Sequence, residues 1–171
     1  MKGKIRWSIG RSAGVSKWEQ VNPSSNCSRS HAFLHPKEIQ AMTDRHLIIP
    51  PAMQPIVERA GYVPAVKVGN TLYCAGQVGR TPELAVIEDP EAQFIAAWSN
   101  LQQVLEEGGC SFDDVVDMTT YHVNMSQHMA VFREVKNRLF PRGHCAWTTI
   151  GVSELAHPGL LVEIKCVAVQ R

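Results

Sequence analysis

No stretch of this 171-residue chain approaches the roughly 18 consecutive apolar residues that a membrane-crossing helix needs. The longest aliphatic runs are as short as Leu160-Leu161-Val162. Net charge is nearly absent, at +1, which gives the whole chain no general attraction to nucleic acid or anionic lipid. No Cys-x-x-Cys pair occurs among the five cysteines, and Cys74 and Cys166 sit in apolar, strand-like runs. An odd, scattered set of this kind predicts free buried thiols in a reducing compartment, the cytoplasm, rather than a disulfide framework. The histidines lack zinc spacing: His122 and His128 are not at i, i+4, and no cysteine pair accompanies them. Neither a P-loop nor a dinucleotide fingerprint is present, so no metal and no cofactor is expected.

What is present is unevenly distributed. Residues 1–41 hold seven Lys or Arg and two acids, a balance of +5, whereas residues 42–171 hold ten basic and fourteen acidic residues, a balance of −4. The first segment is rich in Ser, Arg, Lys and Asn, and Trp7 and Trp18 stand alone in it. It lacks the apolar pattern that offsets ordering entropy, and it has no apolar core of a secretory signal. It reads as a disordered extension, as residues upstream of a natural start at Met42, or as a transit peptide. Residues 42–60 read as a lead-in and residues 61–171 as the domain.

In that domain Ala65 to Val68 and Thr71 to Ala75 predict two strands around a Gly69-Asn70 turn. Gly76-Gln77-Val78-Gly79 supplies small residues that let the backbone approach another chain or a ligand closely. Residues 80–88 read as a loop. Asp89-Pro90-Glu91 is a helix start, with a cap, a proline at the first position and an acid facing the dipole. Phe94, Ala97, Trp98, Leu101, Val104 and Leu105 then recur at helical spacing until Gly108-Gly109. Val115 to Val123 reads as a strand. A second helix, capped by Asn124 or Ser126, places Met129, Phe132, Val135, Lys136 and Leu139 on one stripe up to Pro141. Strands 146–152 and 160–169 follow, separated by the His157-Pro158-Gly159 turn. The order β-β-α-β-α-β-β predicts an α+β sheet with both helices on one face and antiparallel first and last strand pairs. Leu161, Val167 and Val169 would leave the other face too apolar for water, which predicts self-association.

The stretch from Tyr62 through Ala65-Val66-Lys67-Val68-Gly69-Asn70 to Leu72-Tyr73-Cys74-Ala75-Gly76-Gln77-Val78-Gly79 resembles the opening hairpin of the Rid family. This family of reactive intermediate deaminases is also called YjgF, RutC-like or endoribonuclease L-PSP. Asn100-Leu101, residues 107–116, Thr148-Thr149-Ile150-Gly151-Val152 and residues 162–169 continue the resemblance in order over about 110 residues. It implies a chorismate-mutase-like mixed α+β fold, a homotrimer, and small-molecule clefts between subunits. It also implies hydrolysis of enamines and imines derived from amino acids. Family deaminases carry an Arg, which pairs with the substrate carboxylate, where this chain has Trp147, and a water-positioning Glu where it has Glu163. Trp offers one N–H and a large apolar face in place of a bidentate fork, so the resemblance is to a divergent subgroup with altered specificity. Weak turnover of 2-imino acids is expected, unless another cation such as Arg133, on the second helix, fills the role.

Glu163 shares a strand face with Lys165, either as a solvated ion pair or as a cleft residue that carries a proton or positions water. His122 reads as a structural histidine or as an acid/base catalyst. Trp147 reads as a cap stacked on a planar ligand or as an aromatic in a trimer core. The resemblance adds Tyr62, Gly76, Gln77, Thr148 and Arg133 as substrate-binding candidates. His144-Cys145 is poorly arranged as a base and nucleophile, because adjacent strand residues face opposite ways. Three functions remain open: an altered imine or enamine hydrolase, a non-catalytic ligand-binding or stress-related trimer, and an endoribonuclease or translation inhibitor. The acidic domain argues against the last, and nucleic acid and membrane are not expected partners.

Overall fold

The computed structural model describes residues 44–140, 143 and 145–171. The basic extension 1–41, Pro141 and His144 lie outside the described residues. Seven strands form one sheet: β1 (Arg45–Ile48), β2 (Ala65–Val68), β3 (Thr71–Cys74), β4 (Gln77–Val78), β5 (Val115–His122), β6 (Ala146–Gly151) and β7 (Val162–Val169). Their order is β1-β2-β3-β7-β5-β6, and β4 also pairs with β7. Every pairing is antiparallel except β5 with β6. Three helices accompany the sheet: the short α1 (Gln54–Ala60), then α2 (Pro90–Glu107) and α3 (Met125–Leu139).

Alternation on β7 divides the sheet into two faces. Val162, Ile164, Cys166 and Ala168 are buried with the helices, while Glu163, Lys165, Val167 and Val169 point the other way. The helix side is filled by the predicted stripe of α2, from Phe94 to Leu105, all buried. On α3, Phe132, Val135 and Lys136 are buried, whereas Leu139 is exposed. Trp98 and Phe132 stack with centroids 6.0 Å apart, and Phe94 meets Phe132 edge-on at 5.5 Å. Each such buried ring contributes on the order of 2–3 kcal/mol through removal from water. On the opposite face Leu47, Val66, Tyr73 and Val167 form one cross-strand row, with Leu47 and Tyr73 about half exposed.

The local signals act as the sequence implies at α2. The Asp89 carboxylate accepts from the Ala92 N–H at 2.8 Å, Pro90 occupies the first turn, and Gly109 takes φ +75° just past the end. Asn124 starts α3 in the left-handed region, without a side-chain cap. The structure adds two strands to those read from the sequence and corrects one pairing. The lead-in 42–60 contains β1 and α1, so it adds an edge strand to the sheet. Residues 77–78 form β4. The last two strands do not pair with each other, because β5 lies between them.

Candidate functional site

Glu163 is held in place by what its neighbour lacks. A Cβ on Gly76 would fall 1.9 Å from Glu163 Oε1 and 2.4 Å from its Cδ, so only glycine lets the carboxylate lie against this backbone. Gly79 serves a different approach, since its missing Cβ makes room for the Gln93 backbone at 2.2 Å. Both of these close approaches are made within the chain, and Gly76 also lines the cavity described next.

The fully buried Gln93 fastens the surrounding loops. Its Nε2 donates to the Ile87 and Gly159 carbonyls at 2.6 and 2.9 Å, and its Oε1 accepts from the Leu161 N–H at 2.6 Å. Asn100 Nδ2 donates to the carbonyls of Val78 (2.9 Å) and Arg80 (3.4 Å), tying α2 to the segment after β4.

These contacts frame a cavity of about 400 Å³, within the size range of small-molecule sites. Glu163, Tyr62, Gly76 and Gln77 line it together with Arg80, Asn100 and His157. Met53, Ile56, Leu84 and Leu160 provide its apolar wall. Burial pushes the Tyr62 phenol above its ordinary pKa; Arg80 opposes that shift and Glu163 adds to it. Tyr62 therefore stays a protonated donor at neutral pH, close enough to both charges to feel them. Lys165 shares the Glu163 face but is exposed, and among the described residues the two form no ion pair. A carboxylate, a guanidinium and a phenol around an apolar-walled space can orient a small polar molecule and move a proton to or from it.

The other candidates lie elsewhere in the single chain. His122 is buried on the helix side, edge-on to Phe132 with centroids 4.6 Å apart. Neither ring nitrogen has a hydrogen-bond partner among the described residues, and burial pushes its pKa down to about 4. Trp147 is on the same side: its Nε1 donates to Thr120 Oγ1 at 3.0 Å, and Lys136 Nζ lies 4.8 Å from its ring centroid. Thr148 is exposed on the opposite face of β6, paired with Thr119. Arg133 is exposed on α3 and does not line the cavity. Sequence reasoning missed Arg80, within a segment read as a loop, and the anchoring roles of Asn100 and Gln93. The available signal was an Arg directly following a glycine-bounded strand.

Among the described residues no three His, Cys, Asp or Glu side chains cluster as metal ligands would. No helix among them is long and apolar enough to cross a membrane.

Comparison with known proteins gives one consistent pattern. Residues 53–170 match the family model described as Endoribonuclease L-PSP. The chain is 31% identical to the RutC family protein YjgH of Escherichia coli K12, over 74% of this chain and 96% of that protein. It is 34% identical to a 2-iminobutanoate/2-iminopropanoate deaminase of Dermatophagoides farinae, over 75% and 98% respectively. Among solved structures, a protein YJGH superposes with TM-score 0.70 at 30% identity, covering 75% of this chain and 98% of that one.

Proposed function

Since this chain belongs to the endoribonuclease L-PSP family (YjgF/RutC/Rid), we propose that it binds a small metabolite in the cavity around Glu163 and hydrolyses an imine or enamine there. The observation that supports this most is the Glu163 carboxylate laid against Gly76 at the wall of the cavity. Imine hydrolysis needs a group that takes a proton from water as oxygen adds to the C=N carbon. It then needs a proton delivered to nitrogen as the C–N bond breaks and ammonia leaves. Glu163 is suited to both transfers in turn, and the protonated Tyr62 to holding the bound molecule by its O–H. The relatives named as 2-iminobutanoate deaminases support the reaction class. Trp147, at the position where the resembling deaminases carry Arg, supports an altered preference among substrates.

The test is ammonia release from a panel of imines with and without a carboxylate, 2-iminobutanoate included. Glu163→Gln should slow turnover on the preferred member by about a hundredfold or more, the usual worth of a positioned acid/base. Equal rates in the variant and the wild type would remove Glu163 from the chemistry. Binding with no ammonia release by the wild type would leave a non-catalytic module.

We further propose a homotrimer in which the row Leu47, Val66, Tyr73 and Val167, its first and third members exposed and the others half-buried, is covered by other subunits. Sedimentation equilibrium should give about three times the 19.0 kDa chain mass, and a stable monomer at micromolar concentration would refute the arrangement. The free cysteines Cys74, Cys110, Cys145 and Cys166, three of them buried, support a cytoplasmic location.

A further inference from the structure

We infer that Arg80 is the anion receptor of the Glu163 cavity, so that its ligand is a small carboxylic acid carrying a hydrogen-bond donor at its other end. This deepens the proposed function and rests on the same cavity.

Among the described residues Arg80 is the only Lys or Arg lining that space. Its Nε is buried with no hydrogen-bond partner among the described residues, and no ion pair engages its guanidinium. Arginine has five N–H donors in a fixed fork, the geometry that matches a carboxylate with two parallel bonds. The backbone beneath the side chain is anchored. The Arg80 N–H donates to the Val78 carbonyl at 3.1 Å, its own carbonyl accepts from Asn100, and it bridges to Val86 across the loop. A receptor on such a support needs little ordering when the ligand arrives.

Several other described cations are engaged or exposed. Lys67 Nζ donates to the Gly108 carbonyl and to Gln170 Oε1, Lys136 lies over Trp147, Arg138 pairs with Glu91, and Arg133 is exposed on α3.

The charge arrangement selects the ligand's polarity. Arg80, Tyr62 and Glu163 line the same cavity, and both charges act on the Tyr62 phenol. A ligand carboxylate turned toward Glu163 meets repulsion, and turned toward Arg80 it meets a bidentate partner. The ligand's N–H or O–H group is then directed to Glu163, and its aliphatic part to Met53, Ile56 and Leu160. The positive fork missing at Trp147 is supplied from residue 80 instead.

The experiment uses the full chain and 4-hydroxybutanoate, an acid with a hydroxyl donor at its far end, with 4-hydroxybutanamide as its uncharged counterpart. Binding is followed by calorimetry and by NMR shifts of the Met53 methyl group in the cavity wall. The wild type should bind the acid about ten- to a hundredfold more tightly than the amide, the span expected of charge-assisted bonds. Arg80→Met should erase that preference, and Arg80→Lys should retain part of it, with thermal melting reporting whether each variant folds. The inference is overturned if the wild type binds acid and amide equally or binds neither. It is also overturned if Arg80→Met keeps the preference, or if Arg133→Met is the variant that removes it. None of these outcomes bears on whether Glu163→Gln abolishes ammonia release, so the hydrolytic reading stands or falls separately.

Discussion

Glu163 and His122 lie one step apart on neighbouring strands, Glu163 opposite Tyr121 and His122 opposite Val162, yet they face opposite sides of the sheet. Glu163 looks into an open cavity with a cation and a phenol nearby. His122 is packed against Phe132, has no polar partner for either nitrogen, and is held neutral by burial. Trp147 belongs with His122: its Nε1 donates to the Thr120 hydroxyl and Lys136 lies over its ring. Proton-transfer chemistry requires a titratable group, access and a counter-charge together. The Glu163 side has all three, and the His122 side has only the group itself.

The comparison breaks first at Gly76. Gly76→Ala puts a methyl where the Glu163 carboxylate lies, 1.9 Å from Oε1. The carboxylate is a flexible end and swings aside, so melting should move by only a few degrees while turnover falls by about a hundredfold, the cost of an ångström-scale misplacement. Wild-type turnover in this variant would mean that the working position of Glu163 is a different one.

A smaller effect, in stability rather than rate, sharpens the other side. The folded-state pKa of His122 is pushed down to about 4 by burial, against an ordinary value near 6.5. Above pH 6.5 both folded and unfolded chains hold it neutral, and its full contribution is present. As pH falls from 6.5 toward 4, the unfolded chain takes up a proton that the folded one does not, and stability is lost. Between pH 8 and pH 5 this amounts to about 2 kcal/mol. Urea unfolding across that range should show the loss in the wild type and a flatter profile in His122→Leu. Parallel profiles would mean that water reaches the ring and that the two faces differ less than their packing implies.

Much of this was legible from the chain alone because it depends on local chemistry. The cap at Asp89-Pro90, the stripe from Phe94 to Leu105 and the β2–β3 hairpin are each specified within a few residues. Gly76 and Glu163 were legible as candidates, although their mutual contact spans 87 positions and has no local signature. Arg80 was illegible for the same reason: its significance comes from Tyr62 and Glu163, brought near by folding. Strand β1 was missed because Arg45-His46-Leu47-Ile48 has no clear alternation and gains its place only by pairing with β2. The orientation of Trp147 depends on its register beside Met118, a core residue, and that register required β6 to lie parallel to β5.

The strand order also bears on the timing of synthesis. β7 is made after β6, but it lies between β3 and β5 and pairs with both as well as with β4. A chain still emerging from the ribosome therefore holds two unjoined pieces of sheet, β1-β2-β3 and β5-β6, each with an open hydrogen-bonding edge. β7 inserts between them, closes the long-range contacts that dominate the folding barrier, and brings in Glu163 in the same step. Premature termination before residue 162 thus removes Glu163 and the joint between the two half-sheets together.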